Sequence, residues 1–292
     1  MKIFVTGATG YLGTTAAERL REAGHQVVGL ARSDASAEML ERHGCQALRG
    51  DLRDEEALRR GAAATDAVIH LAYEASPQAA ELDRATVATF LEALADTDKP
   101  IIYTGSCWTH GDTGGKVADE TSPLHPIEIS AWRPAVEEAV LGDANRVHGI
   151  VIRPAIVYGR GGGIPAMLTT SARERGAARY VGDGENHWPT VHVDDLADLY
   201  ILALGAPAGT LLIAAHGPSV KVKDAAEAAS EAMGKGGKTE SWPLAEARQA
   251  LGPFADGLVL DQQLSGAKAE KLLGWKPDRP SLLEELRQGS YA

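Results

Sequence analysis

The chain has 292 residues, 44% of them hydrophobic, enough to bury a substantial core. A formal net charge of −11, with no basic block, argues against nucleic acid or an anionic membrane surface as a partner. The two cysteines, Cys45 and Cys107, stand in no Cys-x-x-Cys or Cys/His spacing, which points to a reducing compartment and against structural zinc.

Ile3-Phe4-Val5 reads as a short buried strand, and glycines follow too early for the apolar region of a signal peptide. Tyr11 to Ala23 carries apolar residues at helical spacing, with Gly24 where a C-terminal cap belongs. Gln26 to Ala31 is the next strand, followed by a helix from about Ala35 to His43. Cys45 to Arg49 is a third strand and Asp54 to Gly61 a helix. Ala67 to Ala72 is a fourth strand, Leu82 to Ala95 a helix, and Pro100 to Thr104 a fifth strand. After Pro134 a helix runs through Glu137 to Leu141, then a strand from Gly149 to Arg153. Beyond Pro154 the alternation loosens into glycine-rich loops at Tyr158 to Gly163 and Gly182-Asp183-Gly184. Helices follow near Val222 to Met233, Leu244 to Leu251 and Ser281 to Gln288. The uncharged stretch Leu199 to Ala215 is broken by Gly205-Ala206-Pro207-Ala208-Gly209-Thr210 into a helix end and a strand. Both fall short of the ~20 apolar residues a membrane span needs. The pattern predicts an α/β protein: a Rossmann-type, doubly wound parallel sheet with a smaller C-terminal substrate lobe. Residues 1–155, with 189–215 returning, form the expected nucleotide-binding domain, and 156–188 with 216–292 the lobe. A cytoplasmic location is expected.

Gly7-Ala8-Thr9-Gly10-Tyr11-Leu12-Gly13 lies between the first strand and the first helix. There the first glycine permits a tight turn, the second lets a pyrophosphate approach the backbone, and the third allows close helix packing. The helix N-terminus then offers free N–H groups to the phosphates. Thr6, Thr9, Tyr11 and Leu12 are therefore cofactor-site candidates together with the glycines. The second strand ends at Ala31-Arg32-Ser33, where a nicotinamide dinucleotide places its adenosine ribose. An acidic side chain there suits a free 2′-hydroxyl, whereas Arg32, with Ser33 beside it, suits the 2′-phosphate of NADP. A solvated surface arginine is the plainer reading. Asp51 and Leu52, after the third strand, are placed to meet the adenine.

The spacing Thr6-Gly7-x-x-Gly10-x-x-Gly13 is similar to that of extended short-chain dehydrogenases/reductases, which include nucleotide-sugar epimerases and dehydratases. Asp51-Leu52 matches their adenine-binding pair, and His70-Leu71-Ala72 their fourth-strand ending, which implies cofactor contacts from Leu71 and Ala72. Arg153-Pro154-Ala155-Ile156-Val157-Tyr158-Gly159 resembles a run whose members, here Pro154, Ile156 and Val157, face the nicotinamide. Val191 to Ala197 resembles the junction of the two lobes, and Leu273-Gly274-Trp275-Lys276-Pro277 a C-terminal signature. The resemblance covers nearly the whole chain and implies a serine after the fifth strand, here Ser106, that orients a substrate oxygen. It also implies a Tyr-x-x-x-Lys pair, and here the chain departs: Ile129 falls at the tyrosine, Arg133 at the lysine, and no other such pair exists. Arg133 keeps a charge able to hold cofactor ribose or a substrate carboxylate. An arginine guanidinium holds its proton too firmly to serve as a base.

Another group must then move protons. Tyr73 and Tyr158 follow the fourth and sixth strands, on the face where such sheets bind ligands, and His110 and His125 lie in the loop between Ser106 and Arg133. The plainer readings are an aromatic lid, a structural motif and solvated histidines. His187, Trp188 and His192, with Trp108 and Trp132, suggest a substrate pocket with aromatic walls, although tryptophans also fill seams between lobes. No metal is implied. The residues point to an NADP(H)-dependent oxidoreductase acting on a small, apolar or aromatic carbonyl or enone metabolite, with a non-standard proton donor. Two alternatives stay open. One is an epimerase, dehydratase or isomerase using NADP transiently or structurally, the other a non-catalytic NADP-binding regulator. A small-molecule substrate and a possible homodimer complete the expectation.

Overall fold

The computed structural model describes residues 1–142 and 146–292. The chain divides into two compact units, one formed by Met1–Gly105, Trp132–Arg153 and Ala197–Leu212, the other by Ser106–Ala131, Pro154–Leu196 and Ile213–Ala292.

The first unit alternates strand and helix: β1 (Lys2–Thr6), α1 (Tyr11–Glu22), β2 (Gln26–Ala31), α2 (Asp34–Arg42), β3 (Gln46–Arg49), α3 (Glu55–Ala63), β4 (Ala67–His70), α4 (Ala79–Leu94), β5 (Pro100–Thr104) and α5 (Arg133–Leu141). Strands His148–Pro154 and Thr210–Ala214 complete a seven-stranded sheet. Its order is Thr210–Ala214, His148–Pro154, β5, β4, β1, β2, β3. Every pairing from β3 across to His148–Pro154 is parallel. The fold is therefore the expected Rossmann-like α/β sheet. Ile3, Phe4, Val5, Val68, Ile69, Ile101 and Ile102 are fully buried, which explains why these strands read as unbroken apolar runs. Helix α3 lies so close to the sheet that a Cβ on Gly61 would stand 2.3 Å from the Phe4 ring. Phe4 in turn meets Phe90 edge-on at 6.0 Å. Asp54 caps α3 by accepting from the Ala57 N–H at 2.9 Å.

Most element boundaries match the sequence pattern within a residue or two, and two differ for physical reasons. β4 ends at His70 rather than Ala72, because the backbone of Leu71 and Ala72 turns away to pack against Gly7. Helix α4 begins a turn early, at Ala79, which is itself buried. The uncharged stretch Leu199 to Ala215 does split into the end of helix Val193–Ala203 and strand Thr210–Ala214. No helix among the described residues is long and apolar enough to cross a membrane.

The second unit is built from short paired strands and helices. Ile156–Tyr158 runs parallel to Thr190–His192, and Ala178–Val181 parallel to Thr239–Trp242. Helix Val222–Ala232 buries four alanines, which lets its neighbours approach closely. Leu273-Gly274-Trp275 has a plain structural role: Gly274, at φ +67°, ends helix Ala267–Leu273, and buried Trp275 donates to the Asp195 carbonyl at 2.8 Å. Helix Ala166–Arg175 escaped the sequence pattern because glycines flank it and its apolar residues follow no strong stripe.

Candidate dinucleotide-binding site

Within the first unit the strand order reverses at β1, the position where open α/β sheets bind ligands beyond their carboxyl ends. A cavity of about 700 Å³ lies there. The turn after β1 forms one wall, through Gly7, Thr9, Gly10, Tyr11, Leu12 and Gly13. Gly7 sits at φ +71°, and a Cβ on it would stand 2.8 Å from the Ala72 backbone. A Cβ on Gly13 would stand 1.9 Å from the Gly7 carbonyl oxygen, so α1 can begin here only with glycine. Gly10 differs. At φ −82° its added Cβ would approach only the Gly7 oxygen, at 3.3 Å, and otherwise enter open space. Packing therefore does not demand this glycine, whereas a pyrophosphate against the backbone would. Helix α1 starts without a side-chain cap and without acid in its first turn, leaving donor N–H groups and the positive dipole end for a phosphate. The residues present fit a dinucleotide.

Leu30 on β2, Arg32 just after it, Asp51 and Leu52 after β3, and Leu71 and Ala72 after β4 line the same cavity. Arg32 is exposed and has no ion-pair or hydrogen-bond partner among the described residues. Asp34, the nearest carboxylate in sequence, is paired with Arg49 instead. Two expected residues of this unit, Ser33 and Thr6, do not line the cavity, nor do Pro154, Ile156 and Val157 of the second unit. Ser33 caps α2, its hydroxyl accepting from the Ser36 N–H at 3.2 Å, and Ser36 faces the cavity in its place. Thr6 lies behind the turn. Sequence reasoning missed Arg53 and Glu74, which also line the cavity and form a two-pronged ion pair at 3.0 and 2.7 Å. Hydrogen bonds from Arg53 hold the Glu74 carboxyl below its usual range. Leu30 was findable, two residues before Arg32 on the same strand face. Glu74 carried no local signal.

Thr6, His70 and Tyr103 lie side by side across β1, β4 and β5, in register. The Thr6 hydroxyl meets His70 Nδ1 at 2.6 Å and accepts from the Ala72 N–H at 3.4 Å, while His70 Nε2 meets Asp83 Oδ1 at 3.1 Å. Tyr103 donates to Asp83 Oδ2 at 2.8 Å, and its oxygen accepts from Arg133 at 3.1 Å. A histidine ring carrying its proton on Nε2 satisfies every partner in this chain. Burial pushes the Tyr103 phenol well above its ordinary range, against the pull of Arg133. Arg133 also donates to the Thr104 carbonyl at 3.0 Å, and its guanidinium lies 4.5 Å from the Trp132 ring centroid and 5.5 Å from that of Tyr73. It has no carboxylate partner of its own among the described residues. The structure thus brings Arg133, Tyr73 and Trp132 together. Ile129 lies in the short turn Glu128–Ser130 of the second unit.

The remaining candidates belong to the second unit. Ser106 caps the turn Cys107–His110, accepting from the Trp108 N–H at 3.2 Å. Trp108 packs edge-on against Phe254 and over Gly257. His110 is buried and His125 exposed. Pro154 ends its strand, and Ile156, Val157 and Tyr158 form the next one. The Tyr158 hydroxyl donates to the Pro280 carbonyl at 2.7 Å, and burial raises its pKa, so its proton is directed away from acid–base work. His187 pairs with Asp261 at 2.9 Å, and Trp188 donates to the Leu258 carbonyl at 3.2 Å.

His192 is buried against Tyr158, with its Nδ1 accepting from the Asp194 N–H at 3.2 Å. Burial pushes its pKa below the ordinary imidazole range, against the opposing pull of Asp194 and Asp195. The folded state therefore favours the neutral ring. Its stabilisation is present above the unfolded value of about 6.5 and is lost as pH falls through the lower folded value. Thermal unfolding should show the midpoint dropping below about pH 6.5, and His192→Gln should flatten that drop. An unchanged slope in the variant would contradict it.

Residues 3–212 match the model of the NAD dependent epimerase/dehydratase family. An uncharacterized protein of Schizosaccharomyces pombe is 32% identical, with all of both chains covered. A 2-alkyl-3-oxoalkanoate reductase of Stenotrophomonas maltophilia is 29% identical over 70% of this chain and 66% of its own length. Among solved structures, a Thermus thermophilus UDP-glucose 4-epimerase in complex with NAD superposes with a TM-score of 0.82 at 22% identity. That match covers 100% of this chain and 99% of the epimerase.

Proposed function

This chain belongs to the NAD dependent epimerase/dehydratase family, and we propose that it is an NADP(H)-dependent oxidoreductase acting on a small apolar carbonyl or enone metabolite. The observation that carries the cofactor preference is Arg32, a guanidinium with no ion pair or hydrogen bond among the described residues, on the wall of the dinucleotide cavity just after β2. A 2′-phosphate there would gain a charge-assisted, two-pronged partner. The relative that reduces 2-alkyl-3-oxoalkanoates supports both the redox reading and an apolar β-keto substrate. When bound, the reduced nicotinamide supplies a hydride for a carbonyl carbon. The chain's own residues must position the carbonyl and provide the proton for its oxygen. Arg133, in contact with the rings of Tyr73 and Trp132 and with no carboxylate partner among the described residues, suits a substrate carboxylate or a developing oxyanion. The proton itself comes from a group other than a Tyr-x-x-x-Lys pair, with Tyr73, the exposed neighbour of Arg133, the first candidate in this unit.

Fluorescence titration should give NADPH at least about tenfold tighter binding than NADH, a difference of ~1.4 kcal/mol, and Arg32→Ala should abolish the preference. Equal affinities in the native protein would overturn the NADP assignment. NADPH consumption with a panel of 2-alkyl-3-oxo acids tests the redox reading. Interconversion of a substrate without net consumption would instead favour transient use of the cofactor, as in an epimerase.

A further inference from the structure

The second unit has a cavity of its own, about 380 Å³, between helix Ala166–Arg175, strand Ala178–Val181 and the side chains of Trp188, Trp242 and Leu258. Its volume falls within the range of small-molecule sites. The floor is apolar and buried: Leu168, Val181, Trp188 and Leu258 are each at most 5% exposed. Trp188 presents only carbon to the cavity, because its single donor is already bonded to the Leu258 carbonyl. Met167, half-buried on the same wall, is a flexible side chain able to fit a ligand of variable shape.

Thr170, Ser171, Glu174, Arg175, Arg179 and Tyr180 add polar groups to this lining, and of these Arg179 has the buried polar atom without a hydrogen bond among the described residues. The Arg179 guanidinium stands over the Trp242 ring, 4.0 Å from its centroid, a cation–π contact that restrains it. Its Nε is buried and makes no hydrogen bond among the described residues. The nearest carboxylate oxygen is Glu240 Oε1, 3.5 Å away, and Arg175 reaches the same oxygen at 3.5 Å. Two guanidinium groups thus share one carboxylate as ion-pair partner, with Glu174 on the exposed rim. A cation whose Nε is buried and without a hydrogen bond among the described residues, beside a buried hydrocarbon floor, is complementary to an amphiphile.

We propose that this cavity binds an alkyl carboxylate, its chain on Leu168, Val181, Trp188 and Leu258 and its carboxylate on Arg179. The proposal rests on the reductase reading only for the role of that ligand as substrate. The binding itself is independent of it.

Calorimetric titration of the full chain, without dinucleotide, with sodium hexanoate, octanoate and decanoate tests the assignment. Affinity should rise about fourfold for each methylene added, the increment expected when each one is buried. Octanol should bind more weakly than octanoate, and Arg179→Gln should erase that difference while keeping the chain-length trend. Met167→Trp, a half-buried position tolerant of a larger ring, should fill the cavity and weaken decanoate at least about tenfold. Affinities flat along the series overturn the proposal, as does decanoate binding unchanged in a Met167→Trp variant that keeps the native thermal transition. If Met167→Trp does not fold, the chain-length series and Arg179→Gln still decide. Length-dependent binding without turnover of any 3-oxo acid would uphold the cavity and sink the reductase reading. NADPH-linked turnover with a flat series would do the reverse.

Discussion

Gly10→Val should abolish dinucleotide binding in a protein that still folds, whereas Gly13→Ala should destroy both. The two glycines are three residues apart in one turn, yet their surroundings differ. A methyl at Gly13 would stand 1.9 Å from the Gly7 oxygen, 2.7 Å from its carbonyl carbon and 2.8 Å from the Ala8 Cα. All three are backbone atoms, so no rotamer change relieves the clash, and α1 must shift off β1. Overpacking typically destabilises by about 1–3 kcal/mol, and a rigid backbone clash belongs at or above the top of that range. At Gly10 the backbone is ordinary for any residue, and the only neighbour of a new Cβ is the Gly7 oxygen at 3.3 Å. The valine would fold into the space reserved for phosphate. Affinity for NADPH and NADH should fall at least about 100-fold, a loss of ~2.7 kcal/mol, while a cooperative thermal transition is kept, lowered only by the poorer N-cap. Thermal unfolding and fluorescence titration of both variants provide the check. A Gly10→Val protein that binds either cofactor normally would remove the phosphate from this turn.

Glu137→Ala should destabilise the chain by about 3–5 kcal/mol, the loss expected when one partner of a buried ion pair is removed. Glu137, on α5, and Arg153, near the end of strand His148–Pro154, are 2% and 5% exposed, and Arg153 Nε donates to Glu137 Oε2 at 2.9 Å. Water screens this pair little, so the variant would take from Arg153 a buried carboxylate partner. The pocket is tight. A Cβ on Gly105, at the end of β5, would stand 2.2 Å from Glu137 Oε1, which itself makes no hydrogen bond among the described residues. Gly105→Ala should therefore be strongly destabilising too. Replacing both charges, as in Glu137→Met with Arg153→Met, should recover much of the loss, since well-packed apolar pairs often equal buried ionic ones. Urea unfolding of the single and double variants measures this. A single variant within about 1 kcal/mol of the native protein would show that the site admits water.

The sequence by itself determined the sheet and the phosphate turn. Ile3-Phe4-Val5, Val68-Ile69 and Ile101-Ile102 are apolar on both faces because both faces are covered, and that requirement acts within each strand. Gly7 and Gly13 are likewise fixed by clashes with residues only a few positions away or at the end of a neighbouring strand. Arg32 was legible as a residue of the cavity wall because it stands one position after β2, on the side where open sheets bind ligands. What surrounds these residues was decided by tertiary structure. Ser33 fits a cofactor contact in sequence, but the start of α2 uses its hydroxyl as a cap and turns Ser36 toward the cavity. Arg53 and Glu74 are 21 residues apart and pair only because β3 and β4 deliver their loops to one rim. The chain Thr6, His70, Asp83, Tyr103, Arg133 spans most of the first unit's sequence. Its order exists only because β1, β4 and β5 are neighbours in register. A side chain's partner across a sheet depends on strand order, and strand order is settled by the packing of the whole unit rather than by any local pattern.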